Sequence, residues 1–114
     1  ASYPTRTHLV NAFIKDVAKL GDLDLICCTD LKTLPAGLHV NGNLDLTGCT
    51  GIKYLPKDIK VKGDLYLSHC NGLKELPTDL KVKSNLNLDG CTGLKSLPKD
   101  LKVNGQVIGF DQKP

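Results

Sequence analysis

Between residues 23 and 106 the chain writes one 21-residue phrase four times without inserting or deleting a residue. The registers are LDLICCTDLKTLPAGLHVNGN (23–43), LDLTGCTGIKYLPKDIKVKGD (44–64), LYLSHCNGLKELPTDLKVKSN (65–85) and LNLDGCTGLKSLPKDLKVNGQ (86–106). A frame held this long restricts the chain to stacked repeats, each one a structural layer resting on its neighbours.

Within a unit the apolar places are 1, 3, 6, 9, 12, 16 and 18; in the third they are Leu65, Leu67, Cys70, Leu73, Leu76, Leu80 and Val82. The run from Leu80 to Leu88 alternates strictly across the unit boundary, the period of a half-buried strand. Gly42, Gly63, Ser84 and Gly105 stand at an inward step of that alternation, where a small residue lets the strand bend or backbones approach. Pro35, Pro56, Pro77 and Pro98 argue against a helix interior or a central strand in the remaining arc. One coil cannot cover its own leucines, but a stack of coils can. The expected fold is a repeat solenoid, mainly β, of four parallel coils about 4.8 Å apart.

The 114 residues read as a single domain: an N-terminal helical cap (1–22), the four-repeat solenoid (23–106) and a C-terminal cap (107–114). In the cap, residues 7–20 place Leu9, Val10, Phe13, Ile14, Val17 and Leu20 on one helical face, and Gly21 suits the helix stop. That helix is expected to close the first coil, covering Ile26 and Cys27. Val107-Ile108-Gly109-Phe110 starts a fifth unit and abandons it, with Phe110 plugging the last layer. The strand edge left there is a site for self-pairing, so the chain is read as a monomer or a weak homodimer through that edge. Aromatic residues make up only 4% of the chain, as expected of a core built from stacked leucines. No apolar stretch is long enough to span a membrane, and no block reads as a signal peptide.

Five cysteines invite a metal or disulfide reading, but Cys28, Cys49, Cys70 and Cys91 simply follow the repeat, with Cys27 the extra one. No pair has the two-to-four-residue spacing of a zinc loop. Stacked side chains point in parallel, which is poor geometry for a disulfide. They are read as small buried hydrophobes, and five reduced thiols point to the cytoplasm of a bacterial or host cell. His8, His39 and His69 are scattered, and Asp58, Asp79 and Asp100 repeat one turn environment three times. No catalytic residue, cofactor or metal is expected.

The phrase L-x-L-x-x-C-x-x-L-x-x-L-P, carried by residues 23–106, resembles the leucine-rich repeat in its short bacterial or phage-type form, including repeats of secreted effectors that bear a ubiquitin-ligase domain. The resemblance implies that the cysteines at place 6 bond backbone within the turn. It also implies that partners, usually proteins, bind through side chains on the strand face. The Leu-Lys-Val-x-Gly-x-Leu-x-Leu run departs from the family by placing a second alternating segment before the usual strand. That favours a flatter, more β-helix-like coil over a horseshoe with outer helices. These residues leave no room for a ligase domain, so that activity does not carry over.

The exterior then decides function. Lys60, Lys62, Lys81, Lys83 and Lys102 form a ribbon on one margin of the alternating run; the other margin is acidic or amide-bearing and carries Asp45, Asp64 and Tyr66. Places 2 and 11 vary between units, which suggests that folding does not dictate them, and they hold Tyr66 and Tyr54. These nine residues are the partner-binding candidates. The expectation is a non-enzymatic protein–protein interaction module, a small bacterial or phage inhibitor or adaptor that occupies a site on a larger protein. The alternative is a polyanion binder, with nucleic acid held along the Lys ribbon. The ribbon also has a structural use, since lysines keep a β-rod soluble and block edge pairing.

Overall fold

The computed structural model describes residues 6–110, with side chains described from Val10 onward. A helix, α1 (Arg6–Leu20), precedes nine two-residue strands: β1 (Leu23–Asp24), β2 (His39–Val40), β3 (Leu44–Asp45), β4 (Lys60–Val61), β5 (Leu65–Tyr66), β6 (Lys81–Val82), β7 (Leu86–Asn87), β8 (Lys102–Val103) and β9 (Val107–Ile108). Odd-numbered strands form one parallel sheet in the order β1-β3-β5-β7-β9, and even-numbered strands form a second, β2-β4-β6-β8. Every pairing joins residues 21 apart, as in Leu44↔Leu65↔Leu86 and Val40↔Val61↔Val82. The protein is a parallel β-solenoid of about four turns with one N-terminal helix.

The alternating run expected as a single strand is two. Between β6 and β7 the chain bends at Lys83 and Ser84, and the two halves join different sheets. The corner falls at the small-residue place, where consecutive coils come close enough for Ser84 N–H to reach the Gly63 oxygen at 3.3 Å and Gly105 N–H the Ser84 oxygen at 2.9 Å.

Leu44, Leu46, Ile59, Leu65, Leu67, Leu73, Leu80, Leu86 and Leu88 are sealed from solvent, and no polar side chain is buried among the described residues. The core is therefore a dry column of aliphatic layers. Backbones crowd at place 8. A Cβ on Gly51 would stand 2.5 Å from the Thr29 oxygen and 2.9 Å from the Leu31 oxygen in the coil before. Only the first unit carries a side chain there, Asp30, because no coil precedes it.

The helix replaces that missing coil. Asn41 N–H donates to the Ala18 oxygen at 2.9 Å, as Lys62 and Lys83 N–H donate to Val40 and Val61 one layer up. Asn41 Nδ2 satisfies the Lys19 oxygen at 2.7 Å, so the last turn of α1 is capped from the next strand. Coverage is narrower than the apolar face suggested. Ile14 and Ala18 are buried and Val17 packs beside them, but Val10 is exposed, Phe13 is 67% exposed and Leu20 is 87% exposed. The helix packs over β1 and β2, leaving Ile26 and Cys27 open to solvent. Leu9's side chain and residues 111–114 of the C-terminal cap lie outside the described part. At the far end Phe110 is half-buried against the core, as expected of a plug.

Candidate functional site

Much of what the sequence presents as exterior is tied into ladders between coils. Cys49, Cys70 and Cys91 are stacked and buried, and each thiol donates to a carbonyl in the preceding coil: Leu25, Leu46 and Leu67, at 3.0, 3.0 and 2.9 Å. The bond runs across coils instead of closing the cysteine's own turn. Burial pushes all three thiols up, Cys70 to about 12, so they stay protonated and can donate. Cys28 occupies the same place without a preceding coil to donate to, and is only half-buried. All five cysteines are free.

A second ladder runs through Asp22, Asn43, Asp64 and Asn85. Each Oδ1 accepts the backbone N–H of its counterpart one coil on, at 2.7, 2.8, 2.9 and 2.8 Å, ending at Gln106. Sequence reasoning placed Asp64 among these on the outside as a partner-binding candidate and did not foresee the ladder that the four residues form. Their recurrence every 21 residues, in a type that favours backbone bonding, was the signal available. The Asn85 N–H, with the Ser84 and Tyr66 hydroxyls, holds the Asp64 carboxyl below the usual carboxylate range.

On the outward face of the five-stranded sheet, place 2 reads Asp24, Asp45, Tyr66, Asn87 and Ile108. Three of these side chains accept the N–H two residues on: Asp24 from Ile26 at 3.1 Å, Asp45 from Thr47 at 3.0 Å and Asn87 from Asp89 at 3.0 Å. Folding does have a preference at this varied place. Tyr66 breaks the pattern. Its hydroxyl instead donates to Asp64 Oδ2 at 3.0 Å, which fixes the half-buried ring mid-row. The Asp64 carboxylate accordingly pushes the Tyr66 phenol up.

The four-stranded sheet presents the lysines. His39, Lys60, Lys81 and Lys102 stand in register, with Asn41, Lys62, Lys83 and Asn104 two residues along each chain. A groove of about 410 Å³ runs over this face between Lys60, Lys62, Lys81, Lys83, His39 and Asn41. A second recess, about 370 Å³, continues from His39 and Asn41 to Lys15 and Lys19 of α1. On this face Asp58 Oδ1 pairs with Lys60 Nζ at 3.7 Å, and Asp58 Oδ2 lies 3.5 Å from His39 Nε2. The neighbouring Asp79 turns its Oδ2 to the Asp58 N–H. Tyr54 is exposed but lies apart from both sheets, bridging Glu75 in the next coil.

The nine candidates therefore divide into three places: Asp45, Asp64 and Tyr66 on one sheet, the five lysines on the other, and Tyr54 alone. Among the described residues no three His, Cys, Asp or Glu side chains converge so as to hold a metal ion, and no helix is long and apolar enough to cross a membrane. Comparison with protein-family models, curated proteins and solved structures found no match.

Proposed function

We propose that this solenoid is a non-enzymatic interaction module that binds a larger protein through the outward face of its five-stranded sheet. One observation carries this reading: Tyr66 abandons the backbone-bonding role of its row and is instead held rigid by Asp64 at the centre of that face. A tyrosine fixed before contact loses little rotamer freedom on binding, and tyrosine is enriched among residues that dominate interface energy. Asp45 and Asn87 flank it in register and supply a polar rim. The repeat phrase supports a leucine-rich-repeat-like module of bacterial or phage type, acting as an inhibitor or adaptor by occupying a site on its partner. Five free thiols fit a reducing, cytoplasmic setting.

Affinity capture from a bacterial lysate, read by mass spectrometry, tests the proposal. A protein retained by the native chain should be lost with Tyr66→Ala and kept with Lys32→Gln. If Tyr66→Ala, shown to be folded, retains every captured protein, the reading is wrong.

A further inference from the structure

We infer that the four-stranded sheet is a separate binding face for the phosphate backbone of duplex nucleic acid, read without regard to base sequence. The argument begins with a cost. In-register pairing sets Lys60, Lys81 and Lys102 directly opposite one another, and like charges so placed destabilise a sheet. Lys62 and Lys83 double the row in the middle coils, giving four ammonium groups rooted at corners about 4.8 Å by 7 Å apart. Asp58 pairs with Lys60 at 3.7 Å; Asp79 and Asp100 share a recess with Lys81 and Lys102 but close no ion pair with them among the described residues, Asp79 turning instead to the Asp58 N–H. Packing does not require this arrangement, because the equivalent outward places in the first coil are His39 and Asn41.

The groove between these lysines and the recess beside Lys15 and Lys19 share His39 and Asn41, so positive charge continues from the solenoid onto the helix. A chain of phosphates laid along the stack would meet a lysine at each of three coils and two at the middle ones. No Phe, Tyr or Trp lines either recess and His39 is the one ring there, so successive unstacked bases find no row of platforms and the backbone is the part recognised. Duplex is thus favoured over single strand. The face is distinct from the one that carries Tyr66, and this inference does not depend on a protein partner.

The test is titration of the full chain with a labelled duplex of arbitrary sequence, with the same single strand and inorganic polyphosphate as further arms. Duplex affinity should fall about a hundredfold between roughly 50 and 200 mM salt, the slope for about four phosphate contacts. Lys62→Gln/Lys81→Gln/Lys83→Gln should flatten that slope by about three and abolish most binding. A charge-matched control, Lys32→Gln/Lys53→Gln/Lys74→Gln, should bind nearly as the native chain does, as should Tyr66→Ala. The inference is overturned if duplex does not bind at the lower salt, if both triple variants lose affinity equally, or if single strand or polyphosphate binds more tightly than duplex. Since Tyr66→Ala reports only on the protein-binding face, failure of either proposal leaves the other standing.

Discussion

The thiol of Cys70 donates to the Leu46 oxygen at 3.0 Å, the same oxygen that accepts the Cys49 N–H at 3.0 Å. One carbonyl thus closes a turn in its own coil and receives the next coil through sulfur. Cys70→Val keeps an apolar side chain of similar size but removes the donor. It should cost about 0.5–1.5 kcal/mol, the net value of one hydrogen bond, seen as a lower denaturant midpoint with unchanged slope.

Alkali should unfold the protein through the same column. The buried thiols titrate above their ordinary value of 9.0, Cys70 at about 12, so between those values the unfolded chain has lost protons that the folded chain retains. The sign follows: stability is complete below about pH 9 and declines as pH rises toward 12. A Cys49→Ala/Cys70→Ala/Cys91→Ala variant, less stable at neutral pH, should show a shallower decline. Melting temperature against pH is the measurement.

Gly51→Ala should be far more damaging than its half-buried turn location suggests. The added methyl meets two backbone oxygens of the coil before, at 2.5 and 2.9 Å, and neither can rotate aside. Overpacking of this kind costs about 1–3 kcal/mol. Asp30→Ala, at the same place in the first coil, should change stability by less than about 0.5 kcal/mol. Paired thermal melts would show whether inter-coil contact is the cause.

Asp64→Asn separates ladder from charge. The amide oxygen can still accept the Asn85 N–H, as Asn43 does for Asp64, so stability near neutral pH should be largely kept. The native carboxyl has a depressed pKa, so its contribution is present above the unfolded carboxylate value and lost as pH falls through the folded one. The variant should lack that part of the acid limb. Equal loss of melting temperature in both proteins between about pH 5 and 2 would count against the ladder's charge dependence.

Two neighbouring residues of α1 should behave oppositely. Ile14 is buried and Phe13 is 67% exposed, so Ile14→Ala should cost about 2–5 kcal/mol while Phe13→Ser stays within about 0.5 kcal/mol. Similar losses at both positions would mean that the outer arc of the helix is also packed.

The architecture was legible because it repeats. Leu65, Leu67, Leu73 and Leu80 lie inward at the places the 21-residue frame assigned them, and the cysteines stack as expected. Three things escaped. Alternation has the same period on both sides of a corner, so it could not reveal that β6 and β7 belong to different sheets. An apolar face shows what a helix can bury, not how much surface its neighbour offers, hence the bare Phe13 and Leu20. Asp64 and Asn85 look like solvent-facing residues in the sequence, because the backbone groups they accept come from a different coil. The lysine ribbon, by contrast, was visible as a pattern, and the structure added the groove between its lysines.

Because the strand ladders join the same places of adjacent layers at every step, the rod has no preferred length. Excising residues 65–85 would let Asp45's strand meet Asn87's with every rung re-formed, and copying them would lengthen both outer faces by one step. Such a protein can grow or shrink through in-frame duplication and loss of a single gene segment, gaining or shedding recognition area while its interior chemistry stays the same.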